Sequence, residues 1–414
     1  MTADAGGAAR VHPLNGLKVI ELAEDIGGEF TGLLLAQLGA EVVKLEPPGG
    51  SPMRAVGPFA HGQAGPNTSL NFWFYNGNKR SVVADLGTPQ GLTALNKLLA
   101  DADILISTLP PARLAELELD LAGLTSAYPR LIVLSVTAFG LTGPWVDYKS
   151  SDLVALAAGG PLISCGYDDH SIPPIRPGGN QGYHTVTSFA QIGVMLALLE
   201  RQKTGRGQLV DVSMHEACAV NVELANPYWF YPKVNVQRQT CRHAQPSPTQ
   251  PALFRCADDR FVYFALILAD PKPWAALVAW MESKGMAAQL SEPEFSDLAY
   301  RQARFHEVQE LVECFFLVQT AEEAYKDGQA AGLPIGVLNA PEDLFSDEHL
   351  QARGFFTQVE HEGVGPVTYP GPIYRFSSFG QASRVRAPNL GEHTAQVLGG
   401  SGEAPAAVLA EVSQ

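Results

Sequence analysis

The sequence predicts an α/β protein built on a doubly wound parallel sheet. Strand-like and helix-like stretches alternate through about residue 140. The first of them, strand, glycine-bearing turn, helix, Gly-Ala and strand, is a βαβ unit. A chain of 414 residues with 46% apolar and 17% charged side chains also has enough core for more than one domain.

LKVIEL (17–22) is the first strand, EDIGGEFTG the turn, and LLLAQLGAEVVKLE the helix and second strand. Gly39 fits the helix C-terminus, where left-handed geometry is cheap for glycine. The turn has no GxGxxG and no acidic residue placed for a ribose, so the reading is a Rossmann-like core without nicotinamide. SVVADL, DILIST and LIVLSV follow as strands, with PQGLTALNKLLADA and LAGLTSAYP as helical stretches. Val186, Phe189, Ile192, Met195, Leu196 and Leu199 recur at helical spacing, with Thr185 or Thr187 as the cap. Thr204-Gly-Arg-Gly turns the chain out into QLVDVSM, a strand, and HEACAVNVELAN, a helix.

Between 228 and 251 the composition shifts to Pro, Gln, Asn, Arg and Ser, which marks a linker. A smaller α/β segment follows: a hairpin in FRCADDRFVYFALI around Asp258-Asp259, then amphipathic PWAALVAWMESKG and FHEVQELVECFF. Residues 1–13 read as a loose tail without a signal peptide. No apolar stretch is taken to approach bilayer length, so no membrane partner is expected. The net charge of −15 argues against non-specific nucleic-acid binding but leaves room for a local basic pocket. Cysteines 165, 218, 241, 256 and 314, with no CxxC, fit reduced, mostly buried thiols of a cytoplasmic protein.

Eight segments run in order from residue 14 to 398: LNGLKVIEL, LLLAQLGAEVVKLEPPGGSPMR, NGNKRSVVADL, AFGLTGPW, SDLVALAAGG, RQKTGRGQLVDVSMHEA, GLPIGVLNAPEDLFSDEHLQARGFF and PNLGEHTAQVL. As an ordered set they resemble the family III CoA-transferases, the group of formyl-CoA transferase, carnitine CoA-transferase and α-methylacyl-CoA racemase. The resemblance implies a Rossmann-like large domain made from both chain ends (14–227 and 351–414), a smaller α/β domain inserted at 252–350, and an interlocked-ring dimer. It also implies a chemistry. An Asp attacks the acyl-CoA thioester, the released thiolate converts the mixed anhydride into an aspartyl-CoA thioester, and the acceptor carboxylate displaces CoA through a second anhydride. Backbone N–H groups stabilise each oxyanion.

Counting forward from Pro174, Arg176 and Gly178, and back from Arg201 and Thr204-Gly205, the family's Asp position falls on Tyr183. A phenol ionises near pH 10 and cannot simply replace a carboxylate. His184 beside it reads as a general base or as a helix residue with no task. Asp168 and Asp169 read as solvated turn residues. The family's racemases place a His before the Asp of the SDL segment; here Ser151 precedes Asp152, which argues against racemisation. In STLPPARLAELELD, Thr108, Pro110 and Glu116 stand where relatives carry an amide and two arginines, and Glu116 has the wrong sign for CoA phosphates.

Gly27, Arg54, Lys79, Arg80, Lys149, His184 and Met214 remain as candidates for holding substrate or CoA. Each also has a structural reading: Arg80 pairing with Asp85, for example, or Gly27 and Gly28 shaping the first turn. The resemblance thus points to a subunit whose own catalytic site is vestigial, paired with an Asp-bearing paralogue as a heterodimer or heterotetramer. Two other readings stay open: a non-catalytic acyl-CoA-binding or regulatory protein, and a stand-alone enzyme using Tyr183 and His184. Within the family, an arrangement with one Asp-less chain resembles transfer from succinyl-CoA to (R)-benzylsuccinate in anaerobic toluene degradation. Tyr228, Trp229, Phe230 and Tyr231 would then be apolar walls or interface packing. No cofactor is expected beyond the CoA thioester as substrate.

Overall fold

Central strands of a parallel sheet are buried on both faces and therefore run apolar. That pattern sets the centre of this molecule: β4 (Ile104–Ser107) and β5 (Ile132–Thr137) are buried at every residue. They stand in a six-stranded sheet with β1 (Lys18–Leu22), β2 (Glu41–Glu46), β3 (Lys79–Val83) and β6 (Leu209–Ser213), in the order β3-β2-β1-β4-β5-β6. Every pairing is parallel. The order reverses between β1 and β4, and in such sheets ligands bind outside the carboxyl ends of the strands at that point.

The computed structural model describes residues 12–222, 225–265, 270–380 and 382–399. Most of the expected tail at 1–13, the end of the expected hairpin at Leu266 and Ile267, and residues 400–414 of the C-terminal segment lie outside them. Contacts divide the chain into two units. One takes in Met1–Gly160, Pro177–Asn221 and Glu348–Gln414, the other Pro161–Arg176 and Val222–Asp347.

In the larger unit, helices α1 (Ile26–Gln37), α2 (Leu70–Tyr75), α3 (Pro89–Leu99), α4 (Pro111–Glu116), α5 (Leu121–Ala127), α6 (Asp152–Ala158), α7 (Gln181–Thr204) and α8 (Met214–Val220) connect the strands. Gly39 takes φ +98 after α1, as its position predicts. Helix α7 starts earlier than its threonines suggest: Asn180 is the N-cap at φ 57, so Tyr183 and His184 lie in the first turn. Thr187 is buried inside the helix and donates to the Gly27 carbonyl at 3.0 Å. The face of α7 that packs inward carries Val186, Ala190, Val194 and Ala197. Small side chains there let the helix lie close to α1 and the sheet. The larger apolar residues of the same periodicity, Ile192, Leu196 and Leu199, are each more than half exposed. With 24 residues and a mean hydropathy of 1.2 over 18 of them, α7 is long and apolar enough to cross a membrane by length and composition, against the expectation from sequence. Its inward face packs on α1 and β5.

The smaller unit contains α9 (Ala225–Phe230), the hairpin β7 (Gln237–Gln239) and β8 (Arg242–Gln245), and β9 (Leu253–Arg255) paired with β10 (Phe261–Phe264). Helices α10 (Pro271–Ser283), α11 (Leu298–Ala303), α12 (Phe305–Leu317) and α13 (Ala321–Ala330) and strand β11 (Ile335–Val337) complete it. Trp274, Leu277, Trp280 and Met281 of α10 meet Val308, Val312, Phe315 and Phe316 of α12 in one core. Asp259 turns the β9–β10 hairpin at φ 62.

The chain then returns to the larger unit through α14 (Glu348–Ala352), the hairpin of β12 (Phe356–His361) and β13 (Gly365–Pro370), and α15 (Thr394–Leu398). PNLGEHTAQVL closes the open edge of the sheet. The N–H of Val83 donates to Thr394 Oγ1 at 3.0 Å, and His393 N and Gly391 N donate to Ser81 O and Oγ at 2.9 and 2.8 Å. An unpaired strand edge invites unwanted pairing, and here the tail covers it. Of the five cysteines, all free, Cys218 and Cys256 are buried whereas Cys241 and Cys314 are exposed, fewer buried than composition suggests.

Candidate functional site

The carboxyl ends of β1, β4, β5 and β6 surround a pocket of about 200 Å³ in the larger unit. Asp25 and Gly27 come from the turn after β1, and Thr108, Pro110 and Ala112 from the segment after β4. Val136, Thr137 and Ala138 end β5, the loop Val146–Ser150 forms the rim, and Tyr183, Val186 and Met214 come from α7 and α8. The pocket therefore gathers Gly27, Lys149, Tyr183 and Met214, four residues singled out from sequence at widely separated positions.

Tyr183 stands in this pocket on a firmly held first turn. Gly182 N donates at 2.8 Å to Oδ1 of Asp152, a carboxylate only 4% exposed at the start of α6. Ser151, the residue before it, caps α6 by accepting from Val154 N. The SDL segment thus serves as an anchor for α7. Burial, then the nearby carboxylates Asp25 and Asp152, push the Tyr183 phenol up to about 12. At neutral pH only about one phenol in 10⁵ is ionised. A nucleophilic phenolate has no support here.

His184 points away from the pocket lining. Its Nε2 shares a hydrogen bond with Tyr75 OH at 3.0 Å, and its ring packs 4.9 Å from that of Phe30. Burial lowers its pKa, so it is neutral at pH 7.

The basic candidates have partners of their own. Arg54, 3% exposed, holds Glu46 through Nε at 2.7 Å and Nη2 at 2.8 Å. Lys79 Nζ reaches Glu21 Oε2 at 2.8 Å, Glu29 O at 2.6 Å and Asn76 Oδ1 at 2.9 Å. Arg80 pairs with Glu41 at 2.8 Å, on the neighbouring strand, rather than with Asp85. None of the three lines the pocket. Lys149 does, and it is exposed.

The segment expected to contact CoA phosphates is apolar or neutral where it meets the pocket. Thr108 accepts from Glu24 N at 2.9 Å and so ties the end of β4 to the end of β1. Glu116 forms an exposed pair with Arg113 at 2.8 Å. Arg113 was missed from sequence; it lines a recess of about 40 Å³ at the ends of β1–β4 together with Glu24, Glu46 and Asp85. Acids outnumber the one base there.

Asp25 was missed as well. It N-caps α1 by accepting from Gly28 N at 3.2 Å, and it keeps partial exposure to the pocket. Burial, reinforced by Glu29 and opposed by the N–H groups of Gly28 and Gly27 and by Lys44, raises its pKa to about 7. The signal in the sequence was positional: in a doubly wound sheet the residue just past the first strand faces the ligand crevice. At the rim, Tyr148 stacks on Trp145 with ring centroids 6.0 Å apart and 15° between planes, 60% and 41% exposed.

Other residues read from sequence fall in the smaller unit. Asp168 pairs with Arg242, and Asp169 accepts from Ser171 N and Oγ. Tyr228 of α9 donates to Gln245 at 2.6 Å, while Trp229 and Phe230 of that helix and Tyr231 just after it are exposed.

Comparison with known proteins agrees with this architecture. The profile of CoA-transferase family III matches residues 14–394. Subunit BbsE of the succinyl-CoA:(R)-benzylsuccinate CoA-transferase of Thauera aromatica is 31% identical over 386 residues, 92% of each chain. The beta subunit of the succinyl-CoA–L-malate CoA-transferase of Chloroflexus aurantiacus is 32% identical over 397 residues, 95% of each chain. A solved CaiB/BaiF family protein from Brucella suis has a TM-score of 0.80 at 25% identity, over 94% of this chain and 99% of that one. Sheet order, the pocket at its reversal and these matches lead to one conclusion: the chain belongs to CoA-transferase family III.

Proposed function

We propose that this chain is the non-nucleophilic subunit of a cytoplasmic CoA-transferase that moves CoA from succinyl-CoA to an aryl-substituted dicarboxylic acid such as (R)-benzylsuccinate. The observation that carries this reading is Tyr183, a protonated phenol lining the pocket at the sequence position that the family resemblance assigns to the Asp. A paralogous chain supplies that Asp, in an interlocked heterodimer or heterotetramer. Two features support a partner: the exposed stripe Ile192, Leu196 and Leu199, and relatives that are named as subunits. Tyr148, which lines the pocket and stacks on Trp145, offers an aryl group an apolar face. The exchange of one thioester for another runs on the CoA thioester alone, with no metal, nucleotide or redox cofactor.

The test is reconstitution. Purified alone, the chain exchanges no CoA between succinyl-CoA and a free acid; co-expressed with the Asp-bearing paralogue, it does. Tyr183→Phe leaves most of that activity intact. Turnover by the single chain would instead favour the stand-alone reading, and silence of the co-expressed pair would favour a binding or regulatory role. Formate, oxalate or carnitine outcompeting benzylsuccinate as acceptor would remove the substrate assignment and leave the family.

A further inference from the structure

With its nucleophile gone, the pocket still presents an arrangement of polar groups that nucleophilic catalysis does not explain. Asp25 lines the pocket and is held from the turn beneath it, Oδ1 accepting the Gly28 N–H at 3.2 Å with the Gly27 N–H also bonded to the carboxyl. Gly27 beside it keeps the floor open. A Cβ there would lie 3.2 Å from Val186 Cγ1, 3.3 Å from Asp25 Oδ1 and 3.4 Å from Val136 Cγ1. Lys149 brings a cation from the rim loop, with Asp147 two residues before it.

We propose that this pocket is a receptor for a substrate carboxylate, held between the carboxyl of Asp25 as hydrogen-bond donor and the ammonium of Lys149. The proposal deepens the transferase reading by naming what the Asp-less pocket binds: a free carboxylic acid, or the distal carboxylate of a dicarboxylyl thioester. A carboxylate entering beside Asp25 meets a like group, and two adjacent carboxyls share one proton rather than ionise together. The charged surroundings favour that sharing. Glu29 of α1 lies behind Asp25 and opposes its ionisation; Lys44 of β2 and the N–H groups of Gly27 and Gly28 favour it, and burial outweighs them, so Asp25 titrates at about 7. From α7, the Tyr183 phenol is neutral and adds no charge.

The consequence is proton-linked binding. Below about pH 7 the donor proton is already in place; above it, each ligand bound must take up a proton, and affinity falls about tenfold per pH unit. The experiment is calorimetric titration of the full-length chain with succinate and with benzylsuccinate from about pH 6 to about pH 9, in buffers of different ionisation enthalpy. The expected result is a flat dissociation constant at low pH, the tenfold-per-unit weakening at high pH, and uptake of up to one proton. Asp25→Asn keeps an N-cap acceptor and an N–H donor at every pH, so it should fold normally, bind, and lose both slope and proton uptake. Lys149→Met should weaken binding at every pH and keep the slope.

Failure of the wild-type chain to bind either acid overturns the proposal, as does a pH-independent wild type or a slope that survives in Asp25→Asn. Because the readout is binding by the single chain, it is separable from the heteromer reading. A chain that binds with the predicted slope, but gives no turnover with its paralogue, would sink only the latter.

Discussion

Lys44→Ala is expected to lower the unfolding free energy by about 3–5 kcal/mol, the usual consequence of removing one partner from a buried ion pair. Its Nζ reaches Glu29 Oε1 at 2.8 Å, Glu21 Oε1 at 3.1 Å and the Ala23 carbonyl at 2.6 Å, and no side chain of the set is exposed. Burial alone would drive the proton off Lys44, but Glu29, Glu21 and Glu46 hold its pKa above the ordinary value. Lys79 is the second ammonium, against the Glu21 carboxylate at 2.8 Å and the backbone carbonyl of Glu29 at 2.6 Å. Ser51 Oγ also donates to Glu29 Oε1 at 2.8 Å, and Asn76 Nδ2 satisfies Oε2 at 2.7 Å. Without Lys44, two buried carboxylates are left with one cation. Gly32→Ala attacks the same network from the helix side, since its Cβ would lie 1.8 Å from Glu21 Oε2. Urea denaturation measures both; a midpoint that falls at unchanged slope is the expected result, and losses under about 1 kcal/mol in both variants would contradict it.

Gly28→Ala is expected to lose about 1–3 kcal/mol by overpacking and, with it, acid binding in the pocket. An added Cβ would sit 2.4 Å from Thr108 Cγ2 and 2.7 Å from Ala23 Cβ, neither of them a flexible side-chain end. Relief requires the ends of β1 and β4 to separate, which stretches the Glu24 N to Thr108 Oγ1 bond of 2.9 Å. Gly27→Ala is the control. Its nearest contacts, at 3.2–3.4 Å, are relieved by shifts of a few tenths of an ångström, so its thermal midpoint should fall less. Equal melting temperatures for the two variants would contradict the account.

These glycines mark how far the sequence could be read. Six strands were legible because each is a short β-branched run bounded by turn residues, and alternation with helices forces parallel pairing. The pocket was partly legible, because Gly27, Lys149, Tyr183 and Met214 sit in motifs whose order is diagnostic. What failed was sign and surroundings. Arg54 and Lys79 look like surface cations in one dimension; only the fold brings Glu46 and Glu21 against them. Asp25 looked like a turn residue because the pocket walls that β5 and α7 place around it lie more than a hundred positions away. The period of α7 was right and its face wrong: close packing on α1 selects Ala190, Val194 and Ala197, and periodicity alone cannot distinguish them from Ile192, Leu196 and Leu199. Pro161–Arg176 contains no composition shift, and its place in the smaller unit depends on contacts such as that of Asp168 with Arg242.

Tyr183 lines the pocket as a neutral phenol, without the chemistry of a carboxylate nucleophile. The most direct measurement is peptide mass spectrometry of the reconstituted complex, quenched during turnover with succinyl-CoA. An acyl or CoA adduct on the partner's Asp and an unmodified peptide around Tyr183 are the expected result; an adduct on Tyr183 itself would contradict a non-nucleophilic role.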